Sequence, residues 1–285
     1  MDNLEDINGQ LNYYASRWGL ELEEARKIET FSSVVAFGRQ GPVQIVLKLL
    51  KPNSDEGNSW RWLQHHAGRG AVALLDFDQQ TILLEQAVPG IELVGLVKAG
   101  RDDEATKILC RVINKLHTGN PLIPTGFPTT EDWGRAFERN SRATLAAKIP
   151  LELLEKGQAT YQELCASQST RYLLHGDLHH YNILHDASKS WQVIDPKGVV
   201  GELAYESGAM LRNPIEIPDF YTDPLTISRR VKLICQVLGL DERRVLGWCF
   251  AQAVLSAIWT IEDGGNEEAL IHTVQLAEAT LTLLI

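Results

Sequence analysis

Apolar residues fall in two patterns along the chain, short runs broken by turn residues before about position 90 and a three-to-four spacing for most of the remainder. Leu4, Ile7, Leu11, Tyr14 and Trp18 predict a first helix over 4–18, with Gly9 as its weak point. An alternating and apolar run over 28–37 follows. The turn Gly38-Arg39-Gln40-Gly41-Pro42 and a second run over 43–50 complete a β-hairpin signal. Asn53-Ser54-Asp55 reads as a helix start, with 56–66 helical and Trp60, Leu63 and Ala67 on one face. Runs over 71–77 and 81–85, joined by Asp78-Gln79-Gln80, predict two more strands. The segment 85–90 is polar and carries Pro89 and Gly90, which suits a hinge. A β-rich N-terminal lobe of residues 1–87 and a helical C-terminal lobe of residues 88–285 follow from this division.

Past the hinge, Ala105, Ile108, Leu109, Val112, Ile113 and Leu116 form one helical stripe that starts at Asp102-Asp103. Gly119-Asn120-Pro121 ends it, and His117 in its last turn reads as a C-terminal cap. A proline-bearing loop over 120–130 precedes predicted helices over 132–147 and 151–167. Three more are expected over 228–240, 241–261 and 266–284, with good starts at Asp241 and Asn266. Between these groups lie three apolar runs too short for helices: 172–174, 183–184 and 191–194. The class is α+β.

Polar residues stand where those short strands meet loops. The first strand leads into His175-Gly176-Asp177-Leu178-His179-His180-Tyr181-Asn182, and the third ends at Asp195-Pro196. Asp177, Asn182 and Asp195 each have an ordinary role as turn formers. Their order and the five-residue step from Asp177 to Asn182 match the protein-kinase pattern. In that pattern a carboxylate stands by the attacking hydroxyl, and an amide oxygen and a second carboxylate hold magnesium on the phosphates. Asp177 is therefore the expected catalytic base, and Asn182 and Asp195 the expected metal ligands. Such a site needs a strand lysine for the phosphates, and Lys48 lies inside the run Ile45-Val46-Leu47-Lys48-Leu49-Leu50. Glu56 is the expected partner of Lys48; Asp55 competes, with helix capping as its other role. No GxGxxG loop is present, so Ser32 and Ser33 in the first hairpin are the candidates to cover the phosphates. Backbone groups of the hinge, at Glu85 and Ala87, are the candidates to pair with adenine.

The 285 residues are 44% hydrophobic and 22% charged, an ordinary globular composition, with a net charge of −10. That charge disfavours nucleic acid or an anionic membrane as partner and suits a cationic small molecule. The opening residues lack the basic and apolar parts of a signal peptide, and the richest apolar stretch, 245–261, is amphipathic. Cys110, Cys165, Cys235 and Cys249 are scattered without a CxxC pair. They read as buried thiols in a cytoplasmic protein. His175, His179, His180 and His185 raise a zinc site as a rival. Gly176 and the preceding strand argue against the helix that an i, i+4 histidine pair needs, and no HExxH is present. His175 is expected to hold the loop, and His180 to face the active site.

The run 174–184, with Val193-Ile194-Asp195-Pro196-Lys197-Gly198-Val199-Val200-Gly201-Glu202, resembles the aminoglycoside phosphotransferase family. Within it the likeness is to the branch of streptomycin 6-phosphotransferases and hydroxyurea-resistance kinases. Thr30-Phe31-Ser32-Ser33, Lys48 with Lys51-Pro52, Gly68-Arg69-Gly70-Ala71-Val72 and Leu83-Leu84-Glu85 extend the resemblance from about residue 28 to the C-terminus. It implies a two-lobed, protein-kinase-like fold and ATP- and Mg2+-dependent transfer to a hydroxyl. Carried over by position, Lys48 and Glu56 are the phosphate-holding pair, Asp177 the base, and Asn182 and Asp195 the magnesium ligands. Tyr181 departs from the Glu or Gly that the family often has before the metal asparagine.

The acceptor expected from this resemblance is a cationic aminoglycoside of the streptomycin type, and the role is antibiotic resistance. Candidate carboxylates for it are Glu202, Glu206, Glu262 and Asp263, with Glu267 and Glu268 nearby. Trp259 is a candidate stacking partner or a core residue. A kinase of an unrelated metabolite or amino alcohol, or a catalytically silent kinase-fold binding protein, are the alternatives.

Overall fold

The computed structural model describes residues 2–30, 32–52, 54–78, 80–119 and 122–285, with side chains from residue 7 onward. Phe31, Asn53, Gln79, Asn120, Pro121 and the side chain of Leu4, used in the expectations above, lie outside the described residues. The chain divides into two compact units, residues 1–91 with 184–197, and residues 92–183 with 198–285. A cut at 87/88 lies close to the first crossing and leaves the returning stretch 184–197 on the other side.

The first unit is built on an antiparallel five-stranded sheet. Its order is Glu21–Glu29, Ser33–Gln40, Val43–Leu50, Thr81–Glu85, Leu74–Asp78. Successive side chains of a strand face opposite ways. On Val43–Leu50, Ile45, Leu47 and Leu49 therefore face one side, where they pack with Val34, Ala36 and Leu83 under Leu11 and Tyr14 of the helix Asp2–Trp18. Lys48 points to the other side, between its register partners Val35 and Ile82. The hairpin 183–193 adds Ile183–Asp186 and Ser190–Val193. Val193 ties its end to the Gly70–Val72 segment by two main-chain bonds of 2.8 and 3.1 Å.

The sheet corrects two expectations. Glu21–Glu29 is a strand that periodicity does not announce, because it is an exposed edge rich in charge and held by backbone pairing with Ser33–Gln40. The run 28–37 is interrupted, since Thr30 and Ser33 close a turn on each other at 2.8 and 3.0 Å. The helix expected over 56–66 is only Ser59–His65, with Glu56 in the turn before it. Its N-cap is Asn58, without a side-chain capping bond, and Asp55 pairs with Lys197 at 2.6 Å instead. Trp62 and Leu63 form its buried face, whereas Trp60 stacks on Phe77 with centroids 4.0 Å apart.

The second unit is mainly helical. Asp102–Leu116, Leu151–Ala166, Pro224–Leu238, Glu242–Glu262 and Glu267–Leu284 are its long helices. Asp241 and Asn266 cap the last two as expected, each accepting from the N–H three residues on. Glu242–Glu262 is long and apolar enough to cross a membrane by length and composition, and 72% of its apolar window is buried inside the protein. It packs against Leu151–Ala166 and Glu267–Leu284 as the core helix. The helix expected over 132–147 is three short ones, Thr130–Gly134, Ala136–Arg139 and Arg142–Ala146. Tyr172–Leu174 pairs antiparallel with Val199–Gly201, a strand not foreseen, and carries the loop that begins at His175.

Arg230 is fully buried on Pro224–Leu238 and meets Asp102 at 2.6 Å, while also donating to the Asn213 carbonyl at 2.7 Å. Burial opposes the Asp102 charge, but Arg230 and Arg229 outweigh it and hold the carboxyl below its usual range. Removing either partner of such a pair typically costs about 3–5 kcal/mol.

Candidate active site

In the first unit, the Lys48 ammonium bonds Glu56 and, at 2.7 Å, Asp195 Oδ1. Lys48 is 4% exposed and Glu56 6%. Burial disfavours the ammonium, yet the charges of Asp195 and Glu56 prevail and its pKa is raised. Lys48 is thus a fixed cation rather than a surface lysine. Ser32 Oγ donates to Glu56 Oε1 at 2.6 Å, which steers the carboxylate. Asp195 sits just past Ser190–Val193 with φ +56, a left-handed conformation that costs a non-glycine residue about 1–3 kcal/mol. The strain turns its carboxylate onto Lys48 while its side chain stays 38% exposed. Ser33 is buried, and its hydroxyl and N–H meet Thr30.

At the hinge, the Gln86 N–H reaches the Gln44 carbonyl at 2.9 Å, and the Val88 N–H reaches Asp186 Oδ2 at 3.1 Å. Burial opposes the Asp186 charge, but bonds from Ser188, Val88 and Lys189 bring its pKa to about 2. The Ala87 N–H between them has no main-chain partner among the described residues. The Glu85 carboxylate is paired with Lys189, and its N–H donates to the Ala73 carbonyl at 2.9 Å.

In the second unit, main-chain bonds shape the loop around Asp177. The N–H groups of His175 and Gly176 both donate to Glu206, and the Gly198 N–H donates to the His175 carbonyl at 3.0 Å. Gly176 has φ +85, a backbone state natural only to glycine. His175 holds the loop, as expected, by accepting the Asp177 N–H on Nδ1 at 3.3 Å. Asp177 Oδ1 receives Arg212 Nη2 at 3.0 Å, and His179 Nε2 is 3.7 Å from its Oδ2. Asn182 Nδ2 donates to the Asp177 carbonyl at 2.9 Å, which directs the amide nitrogen inward and leaves Oδ1 without a hydrogen-bond partner among the described residues.

Three expected acceptor residues are enclosed instead. Glu206 is fully buried; burial raises its pKa to about 7 against the two loop N–H bonds. Glu202 accepts from Arg244 at 2.6 Å and from the Trp248 indole. The His180 ring has no exposed surface, and neither nitrogen has a hydrogen-bond partner among the described residues. Burial and then Arg230 lower its pKa to about 3, so it is neutral. Glu262 is bound by Arg139 at 2.7 and 3.0 Å and by Asn140 at 2.7 Å, and Asp263 is exposed at the end of Glu242–Glu262. Arg212 is the contributor missed from the sequence. Its contact with Asp177 spans 35 residues, and no local spacing marks it.

Each unit offers one oxygen donor of the kind a hard divalent cation takes, a part-exposed carboxylate at Asp195 in the first and an amide oxygen at Asn182 in the second. No cluster of three or more histidine, cysteine, aspartate or glutamate side chains able to hold a metal exists among the described residues.

Residues 17–264 match the family described as aminoglycoside/hydroxyurea antibiotic resistance kinase. The chain is 30% identical over 256 residues to a streptomycin 3''-kinase of Klebsiella pneumoniae, covering 87% of this chain and 91% of that protein. It is likewise 30% identical over 254 residues to a streptomycin 6-kinase of Streptomyces glaucescens, covering 87% and 81%. A solved aminoglycoside phosphotransferase in ternary complex with ADP and hygromycin B superposes with a TM-score of 0.68, at 15% identity, over 95% of this chain and 97% of that one. At that identity the likeness speaks for the fold, the α+β, two-lobed, kinase-like architecture expected from the sequence.

Proposed function

The chain belongs to the aminoglycoside/hydroxyurea antibiotic resistance kinase family and is a phosphotransferase, and we propose that it moves the γ-phosphoryl group of ATP to a hydroxyl of a streptomycin-type acceptor. The observation that carries this reading is the pairing of one buried lysine, Lys48, with both Glu56 and Asp195. Phosphoryl transfer rests on positioning and charge stabilisation. Lys48, kept charged and kept in place, supplies a cation for the phosphates. The Ala87 N–H, with the main chain at Glu85, supplies the hinge contacts for adenine. Asp195 and the free Oδ1 of Asn182 would hold magnesium, which when bound neutralises charge on the phosphate oxygens.

Asp177 takes the proton of the acceptor hydroxyl or orients it. Arg212 fixes the rotamer of that carboxylate through its hydrogen bond. Glu206 keeps the His175–Gly176 main chain in the shape that presents Asp177. Residues 1–87 would carry the nucleotide phosphates, and residues 88–285 the catalytic loop and acceptor. The streptomycin kinases to which the chain is similar favour a streptomycin-type acceptor, and the net charge of −10 favours a cationic one. Such a reaction confers resistance in the cytoplasm, where the four free thiols are at home.

The test is ADP release by the purified protein with ATP and Mg2+, over streptomycin, other aminoglycosides, hydroxyurea and amino alcohols, with mass analysis of the product. Streptomycin is expected to gain one phosphoryl group. Turnover of an amino alcohol alone would move the chain to metabolite kinases, and no turnover with any acceptor would overturn the reading.

A further inference from the structure

The indole of Trp133 lies against the loop glycine that precedes Asp177. A Cβ on Gly176 would fall 2.7 Å from Trp133 Cη2, so the ring and the loop main chain approach more closely than any side chain permits. Trp259, from the core helix Glu242–Glu262, meets Trp133 edge to face with centroids 5.7 Å apart at 85°. Glu262 stands one turn beyond Trp259 on that helix, and Asp263 ends it.

Both indoles are only half-buried. The tryptophans that serve packing are closed, as Trp62 and Trp248 are at 0% exposure. The helix carrying Trp133, Thr130–Gly134, is too short to be stable alone. It is nonetheless strongly fixed. Thr129 and Asp132 form a reciprocal capping box at its start. The Tyr161 hydroxyl donates to the Thr130 carbonyl at 2.7 Å, and Thr129 bridges to Val200 beside the loop-bearing strand. These bonds fix a part-open indole against Gly176, next in the chain to the residue proposed as base.

We propose that Trp133 and Trp259 form an aromatic wall of the acceptor site, on which a flat, delocalised cation or a sugar face of the acceptor stacks next to Asp177. This rests on the phosphotransferase reading above and deepens it. A guanidino group suits such a wall: its planar, weakly hydrated charge stacks on indole better than an ammonium does. Asp263, exposed, and Glu262, shared with Arg139, add negative charge at the edge of the wall.

The probe is streptomycin, which carries guanidino groups. Steady-state kinetics are measured for the wild type, Trp133→Ala, Trp133→Phe and Trp259→Ala, with tryptophan fluorescence read during streptomycin titration. Trp133→Ala is expected to raise the acceptor KM about tenfold with the ATP KM within about twofold, Trp133→Phe to restore most of it, and Trp259→Ala to give a smaller rise. Streptomycin is expected to quench the wild type and to quench Trp133→Phe less. If Trp133→Ala does not fold, Trp133→Phe and Trp259→Ala carry the comparison. Unchanged acceptor KM in the folded variants, while the wild type phosphorylates streptomycin, overturns the wall alone. A wild type that neither turns over streptomycin nor is quenched by it overturns the wall together with the proposed acceptor.

Discussion

Lys48 in the first unit and Asp177 in the second are both fixed charged residues, but they are fixed by different means. Lys48 is held by side chains of opposite charge, Glu56 and Asp195, inside a largely closed environment. Asp177 is held mostly through main chain: its own N–H on His175, its carbonyl under Asn182, and the preceding N–H groups on Glu206. Arg212 donates to its carboxylate at 3.0 Å. A charge network of the first kind keeps its geometry only while every charge is present. A loop held by main chain tolerates loss of the functional group at its tip. The proposed phosphate side should therefore lose binding when altered, and the proposed acceptor side should lose chemistry with binding kept.

The largest effect expected is at Asp177. Asp177→Asn keeps the loop bonds and removes the base, so kcat should fall roughly 10²–10⁴-fold in a coupled ADP assay, with the far-ultraviolet spectrum unchanged. A kcat within a few-fold of wild type would remove Asp177 from the chemistry. Next is Arg212. Arg212→Ala should lower kcat about tenfold, because the carboxylate loses the side-chain donor that positions it. Arg212→Lys should recover part of that loss; an unchanged kcat in Arg212→Ala would assign Arg212 to packing alone.

A further effect is on stability and concerns Glu206. Its pKa rises on folding from 4.5 to about 7, so the folded state favours the protonated acid. Its contribution is fully present below about pH 4.5 and is lost as pH rises through 7, an effect of about 3 kcal/mol. Glu206→Gln should abolish that part of the pH dependence. Thermal unfolding at pH 5 and pH 8 is expected to show wild type losing ground to the variant at the higher pH. An equal gap at both would mean that the two loop N–H bonds hold Glu206 ionised throughout.

The two sides also differ in how far their sequences reveal them. Asp177, Asn182 and Asp195 could be located because each is a short polar residue at the end of a short apolar strand, where local pattern and chemistry coincide. Lys48 stood out for the same reason, a charge inside a β-run. The strand Glu21–Glu29 did not, since an exposed edge needs no apolar alternation. The three short helices over 130–146 were hidden because helical periodicity persists across their breaks. Glu202 and Glu206 look like solvated charges at a helix start, yet Arg244, Trp248 and the loop N–H groups arrive from distant positions to enclose them. Burial of that kind, like the reach of Arg212 to Asp177, is set by tertiary contacts that no window of sequence contains.

The contrast is tested most directly by Mg·ATP affinity, measured by calorimetry on wild type, Asp177→Asn and Lys48→Ala. Asp177→Asn is expected to bind within about twofold of wild type, and Lys48→Ala to bind at least about tenfold more weakly, as loss of a charged hydrogen-bond donor implies. Equal weakening in both variants, or none in Lys48→Ala, would contradict the division of labour between the two units.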